Sequence, residues 1–250
     1  GEKEAKAFRE QVLAVAHQEG AVNKIKQLIQ EETQKLPNPQ EDWRSVIDAL
    51  RPINIAIWQA LKPSEKTLFL ESYLNEWNIH RHRIPPQSAA LIKEMIDKGN
   101  LQIFAGSLDH LENDTNHPGQ VKVFWRPIQK KTSGQDSLAQ ASAGYVINCT
   151  GPESDFTRIA AHDPLIQSLF KQGLVQVDNF GTEAKPIHLG LQANSQYQMI
   201  NADNRPQEHL LGMGPTIKGR DFEGTAVPEL RVQAKSLAEQ LLNSAFTLYQ

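Results

Sequence analysis

The chain has 250 residues, of which 39% are hydrophobic and 22% are charged, and its formal net charge is -3. This length and hydrophobic content suffice for one large domain or two small ones. The charge balance lacks the positive field that nucleic-acid binding requires, and no run of about 18 apolar residues predicts a membrane span. The charged N-terminus and the single cysteine are typical of a cytoplasmic protein.

Residues 1–99 are predicted to be mostly helical, because their apolar residues recur at helical spacing. Gly20 interrupts this pattern and is predicted to end the first helix. Asp42 and Ser64 are predicted to cap two later helices. The stretch 85–99 has prolines at its start and a glycine at its end, which predicts one more helix.

From residue 100 onward, strands alternate with helices, and a polar hairpin connection is predicted between the first two strands. The predicted strands are 101–106, 121–125, 141–151, 174–179, 187–192 and 209–214. The predicted helices are 164–173 and 227–246. This order favours an α/β domain, residues 100–250, with a helical segment before it. No G-x-G-x-x-G turn occurs, so a dinucleotide-binding domain would be incomplete.

The stretch YVINCTGP, residues 145–152, reads as a strand that ends in small residues. Gly151 would allow a ligand to approach the backbone, and Thr150 would supply a hydroxyl. The alternative, a plain strand end followed by a turn, is favoured by spacing alone. Cys149 is predicted to be a small buried hydrophobe rather than a nucleophile, because no local base accompanies it.

A second stretch, residues 208–230, combines a strand, four glycines and the start of a helix near Val227. The free N–H groups at such a helix start suit a negative or electron-rich ligand group. The alternative is an ordinary connection between a strand and a helix. Spacing alone does not separate the two interpretations.

A third stretch, WNIHRHRIPP at 77–86, holds two histidines and two arginines. His80 and His82 lack a third ligand nearby, so no metal site is predicted. Arg81 and Arg83 present planar forks that suit a carboxylate or a phosphate. A solvated, salt-bridged turn is the favoured alternative.

Together the three stretches resemble the C-terminal portion of a bacterial family of FAD/NAD(P)-binding proteins, distantly related to flavin monooxygenases. The motifs that carry the resemblance are W-x-x-H-R-H-R at 77–83, Y-V-I-N-C-T-G-P at 145–152, and L-L-G-M-G-P through E-G-T-A-V-P-E-L-R-x-Q-A at 210–234. The resemblance implies part of a Rossmann-like FAD/NAD(P)-binding fold. It also implies that the chain corresponds to about the latter half of such a protein.

The resemblance implies cofactor contacts at two places. Thr150 and Gly151 would lie near FAD, where the chain returns to the FAD domain. Gly212 and Gly214 would belong to the closing flavin segment. The N–H groups near Ala226 and Val227 would then point to the flavin's pyrimidine edge.

The resemblance implies that the chain is the C-terminal part of an FAD-dependent oxidoreductase. NAD(P)H is a further candidate cofactor. Arg81 and Arg83 are candidate contacts to an acidic substrate or to nicotinamide phosphates. No residue is assigned as catalytic. Gly214 and Pro215 stand where related reductases carry an Asp that holds the ribityl chain. This departure, with the missing glycine-rich turn, motivates the alternative of a non-catalytic binding or structural domain.

Overall fold

The structure, a computed structural model, describes residues 2–128 and 138–248. The chain is a mixed α and β protein. It divides into two compact units, of which the larger comprises Gly1–Arg83 and Glu153–Gln250 and the smaller comprises Ile84–Pro152. Within the described residues, no helix combines the length and apolar character needed to cross a membrane.

The larger unit begins with a series of helices, as predicted. They are α1 (Glu2–Ala16), α2 (Ala21–Gln34), α3 (Pro39–Leu50), a 3-10 turn (Arg51–Ile53), α4 (Asn54–Ala60), α5 (Pro63–Leu68), a π-helical turn (Phe69–Tyr73) and α6 (Leu74–Arg81). Gly20 separates α1 from α2 with a φ of 70°. The predicted caps Asp42 and Ser64 were wrong, because both residues lie inside helices. Proline occupies the first position of α3 and α5, where its fixed φ and missing N–H favour a helix start.

The smaller unit contains a helix and a three-stranded antiparallel sheet. Its elements are α7 (Pro86–Asp97), β1 (Gly106–Asn113), β2 (Val121–Pro127) and β3 (Ala139–Ala143), with the strand order β1-β2-β3. The predicted hairpin between the first two strands is confirmed.

Two predicted strand ranges in the smaller unit were wrong. The strand predicted at 101–106 begins only at Gly106, because Gly106 pairs with Pro127, the last residue of β2. The strand predicted at 141–151 ends at Ala143, which pairs with Val121, the first residue of β2. Beyond that pair β2 offers no partner, and the following residues are irregular, with Tyr145 92% exposed.

The larger unit continues after residue 153 with short elements and one long helix. They are α8 (Phe156–Ile159), α9 (Pro164–Lys171), β4 (Val177–Asn179), β5 (His188–Leu191), β6 (Gln198–Ile200), β7 (Pro206–Leu211), a 3-10 turn (Gly214–Ile217) and α10 (Val227–Leu248). β4 pairs with β5 and β6 with β7, both antiparallel. The predicted start of the last helix near Val227 is confirmed.

Buried side chains join the two halves of the larger unit. Trp58 of α4 is 3% exposed and packs in one cluster with Leu189 of β5 and Phe222 from the loop before α10. The Trp58 indole N–H also donates a hydrogen bond to the Gly219 carbonyl, over 2.6 Å. Burial of each such side chain stabilises the fold by roughly 1.5–3 kcal/mol. This cluster therefore fixes the loop 218–226 against the helices.

Candidate functional site

The glycines of the predicted closing flavin segment lie within the packed interior of the larger unit. A Cβ atom on Gly212 would lie 2.5 Å from Met199 Sδ, and one on Gly214 would lie 2.8 Å from a methyl group of Leu230. Gly214 also has a φ of 62°, which favours glycine. Close internal packing therefore accounts for both glycines.

A buried polar network holds this segment against α10. The Gly214 N–H donates to Gln233 Oε1 over 2.7 Å, and Gln233 Nε2 donates to Asp221 Oδ2 over 2.9 Å. Asp221 is 2% exposed and also accepts a hydrogen bond from Gln59 of α4. Because each buried polar group has a partner, the network fixes the geometry of the loop that leads into α10.

The start of α10 is accessible, as a ligand-binding helix end must be. Val227 is 70% exposed, and Ala226 is half-buried. The Leu230 N–H donates to the Ala226 carbonyl over 2.9 Å, which closes the first turn. The earlier N–H groups of a helix have no acceptor within the helix and carry partial positive charge.

Thr150 and Gly151 lie in the smaller unit, whereas residues 212–228 lie in the larger. Asn148 Oδ1 accepts hydrogen bonds from the backbone N–H of Thr150 over 3.0 Å and from its hydroxyl over 2.8 Å. Gly151 has a φ of 83°, and beyond its chain neighbours no atom of the described residues lies within 4 Å of the position its Cβ would take. The prediction that Cys149 is buried was wrong, because this side chain is exposed. The stretch forms a turn with open space around it.

The guanidinium groups of Arg81 and Arg83 are paired with carboxylates of the larger unit. Arg81 Nε lies 3.3 Å from Glu223 Oε2. One terminal nitrogen of Arg83 donates to both oxygens of Asp48, over 2.7 and 2.8 Å. An external anion at either arginine would have to compete with these protein carboxylates.

A cavity of about 640 Å³ lies in the larger unit, and sequence reasoning did not predict it. Residues of α2, α3, α4, the π-helical turn, α6 and the loop before α10 line it. Aliphatic side chains form much of its wall, and six aromatic residues complete it. They are Trp43, Trp58, Phe69, Tyr73, Trp77 and Phe222. This volume lies within the range of small-molecule sites, roughly 300–1,000 Å³.

The aromatic rings of the cavity support one another. Trp58 stacks on Phe222 with ring centroids 4.7 Å apart, and Phe69 meets Phe222 edge-on at 5.6 Å. Phe69 also contacts Trp77 at 6.4 Å. Such contacts restrict the rings, so the wall is formed before any ligand arrives.

The charged groups of the cavity are paired with each other or with neighbours. Lys26 Nζ donates to Glu76 Oε2 over 2.8 Å, and this hydrogen bond raises the pKa of Lys26. Glu223 accepts the ion pair from Arg81 described above. The Trp77 indole nitrogen is buried and has no hydrogen-bond partner among the described residues; the same holds for Arg81 Nε, which has the ion pair without a hydrogen bond, and for Arg83 Nη1.

A second cavity, of about 180 Å³, is lined by residues from the start of α10 and shares lining residues with the large cavity. Pro228 and Glu229 of α10 line it, and Glu223 and Asn54 line both cavities. Glu223 has a φ of 68°, a conformation that costs a residue with a side chain about 1–3 kcal/mol. Strain of this kind is concentrated at functional sites, which marks Glu223 as a residue of interest.

Comparison with known proteins yields no relative. No protein-family model matches the chain, and no significant match was found among curated proteins or solved structures. The residues of the two cavities and of the segment 212–228 therefore carry the functional argument.

The sequence contains one signal for the large cavity. Three of the four tryptophans fall between residues 43 and 77, on three separate helices. Tryptophans at helical positions ordinarily indicate core packing, so this signal alone does not separate a filled core from a cavity.

Proposed function

We propose that this chain forms the C-terminal part of an FAD-dependent oxidoreductase and that residues 212–228 close the flavin side of its cofactor site. One observation carries the proposal. The segment whose sequence resembles a closing flavin segment is also the segment that lies between the two cavities, through Phe222 and Glu223 on one side and Pro228 on the other.

The residues at the start of α10 fit a flavin in two respects. The first-turn N–H groups near Ala226 and Val227 would favour negative charge on the flavin. Glu229 Oε2 is buried and has no hydrogen-bond partner in the described part of the chain, so it can accept a hydrogen bond from an imide N–H. When bound, FAD would supply the redox chemistry, and the protein would bind and orient it.

Other parts of the proposal rest on the resemblance. The described strand pairs are small and antiparallel, so the Rossmann-like fold of residues 100–250 belongs to the proposal. The same holds for FAD contacts at Thr150 and Gly151. NAD(P)H is proposed as the electron donor, with no residue assigned to it, because Arg81 and Arg83 already bind protein carboxylates.

A second candidate is a non-catalytic binding domain built on the same fold. The packing of Gly212 against Met199 and of Gly214 against Leu230 favours it, because internal contacts explain these glycines without a cofactor. Such a domain would keep the cavities and would not bind FAD.

The test is FAD affinity in a pair of charge variants, measured by quenching of flavin fluorescence. Val227→Asp places a negative charge in the first turn of α10, where it favours the helix and disfavours an anionic ligand. We expect FAD binding to weaken about fivefold, which corresponds to about 1 kcal/mol. Leu241→Asp, at an exposed position near the other end of α10, is the matched control and leaves the affinity unchanged. Equal affinities for both variants would remove α10 from the flavin site.

A further inference from the structure

The large cavity is suited to a ligand by its size and by the stability of its wall. Its volume is about 640 Å³, and the aromatic side chains that line it also contact one another. Trp58, which forms part of the wall, is anchored by its hydrogen bond to the Gly219 carbonyl. A flat ring could stack on such a wall.

The π-helical turn is a second indication of a ligand site. It spans Phe69–Tyr73, and the residues at its two ends both line the cavity. The π-helix is rare, and its single turns within helical segments occur frequently at functional sites. Here the turn directs two aromatic rings from one helical segment toward the same space.

The charges around the cavity indicate a neutral ligand. Lys26 is paired with Glu76 at the rim, and Glu223 is paired with Arg81 and with His82. A charged ligand would have to displace one of these partners and would leave a partly buried charge without compensation. A neutral ligand avoids that penalty.

The Trp77 indole N–H indicates where the ligand is polar. Trp77 lines the cavity, and its indole nitrogen is buried and donates no hydrogen bond to any described residue. A buried donor without an acceptor is unfavourable, and a ligand carbonyl would satisfy it. The indole nitrogen can only donate, so the ligand must supply an acceptor.

We propose that this cavity binds a neutral, ring-containing apolar molecule that accepts one hydrogen bond from Trp77 Nε1. The inference rests on the cavity alone and does not depend on the flavin proposal. In an oxidoreductase, the molecule would be a ketone-like or quinone-like substrate. In a non-catalytic domain, it would be the cargo.

The test compares three probes of similar shape by the change in tryptophan fluorescence of the full chain. Acetylnaphthalene is neutral and has one carbonyl acceptor, ethylnaphthalene lacks the acceptor, and naphthoate is anionic. We expect acetylnaphthalene to bind about fivefold more tightly than ethylnaphthalene, which is the effect of one neutral hydrogen bond. Naphthoate is expected to bind more weakly than either neutral probe.

Trp77→Phe is the matched variant, because it keeps an aromatic ring and removes the N–H. It should lower the affinity for acetylnaphthalene to that for ethylnaphthalene and leave ethylnaphthalene binding unchanged. Equal binding of the two neutral probes to the unsubstituted chain would overturn the role of Trp77. Tightest binding of naphthoate, or no saturable binding of any neutral probe, would overturn the ligand class. These outcomes do not involve FAD and therefore leave the flavin proposal to its own test.

Discussion

Glu65 is predicted to be the most important single carboxylate for the stability of the helices around the large cavity. Its side chain is 6% exposed, and its two oxygens accept hydrogen bonds from the backbone N–H groups of Gly20 and Val22, each over 2.9 Å. These N–H groups lie at the start of α2, where the helix dipole favours a negative charge. Glu65 thus acts as a cap contributed by α5, a distant part of the chain.

The expected magnitude follows from these two hydrogen bonds. A hydrogen bond to a charged group contributes roughly 1.5–3 kcal/mol, and a buried donor without a partner is costly. Glu65→Ala should therefore lower the free energy of unfolding by about 3 kcal/mol or more. Glu65→Gln keeps one acceptor oxygen and should lower it by about 2 kcal/mol.

The measurement is urea unfolding followed by far-UV circular dichroism, extrapolated to zero denaturant. Glu71→Gln is the matched control in the neighbouring turn, because Glu71 forms a solvent-exposed ion pair with Lys185 over 2.9 Å. That substitution should change stability by less than about 0.5 kcal/mol. If Glu65→Gln were no more destabilising than Glu71→Gln, the reasoning about the cap of α2 would be refuted.

Two further predictions concern a glycine and a buried carboxylate. Gly190→Ala should lower the free energy of unfolding, measured in urea, by about 3 kcal/mol, because Gly190 has a φ of 82° and a Cβ atom would clash with the Thr216 carbonyl. Gly20→Ala is the control and should lower it by only about 1 kcal/mol, because no described atom beyond its chain neighbours lies within 4 Å of the added Cβ. Equal effects of the two substitutions would contradict the clash at Gly190. Hydrogen bonds from Ser142, from His117 and from the Asn116 N–H hold the pKa of Asp114 well below its ordinary value of 3.8, so this carboxylate stabilises the smaller unit above that value and the stabilisation is lost as the pH falls below it. The urea concentration at the unfolding midpoint should therefore decrease as the pH is lowered from about 5 to about 3, and Asp114→Asn should make this decrease smaller. If the midpoint of the variant decreased as steeply as that of the unsubstituted chain, the stabilising role of the Asp114 carboxylate would be contradicted.

Helix ends could be predicted from the sequence because their determinants are local. Gly99 and Gly173 adopt positive φ, 73° and 65°, directly after the C-caps of α7 and α9. Gly20, which was predicted to end the first helix, instead lies at the start of α2 as its N-cap, because α1 already ends at Ala16. Glycine adopts this conformation without the steric penalty of a side chain, so its position alone marks the end.

Caps and strand limits could not be predicted in the same way, because their determinants are distant in sequence. The start of α2 is capped by Glu65, which lies 45 residues after Gly20. The strand predicted at 141–151 stops at Ala143 because β2 begins at the residue that pairs with it. In both cases the deciding contact is tertiary, so local propensity gives the wrong limit.

For the candidate site, the sequence predicts which residue types could bind a ligand, but it does not predict their partners in the fold or the cavity. The arginines at 81 and 83 were recognised as anion-binding groups, but the sequence does not show that Glu223 and Asp48 already occupy them. The large cavity depends on how several helices leave space between them. The spacing of apolar residues predicts which helix faces pack together, but it does not predict the size of a cavity left between the packed helices.

The most direct test of the flavin proposal is a visible absorption spectrum of the full chain during titration with FAD. We expect a saturable shift of the flavin band, because the start of α10 and the Glu229 carboxylate offer a polar environment different from water. Acetylnaphthalene, added to the same preparation, provides an independent check that the large cavity is intact. A flavin band that stays unchanged with this chain and also with a longer protein that contains it, in preparations that bind acetylnaphthalene, would contradict the flavin proposal and favour the non-catalytic binding domain.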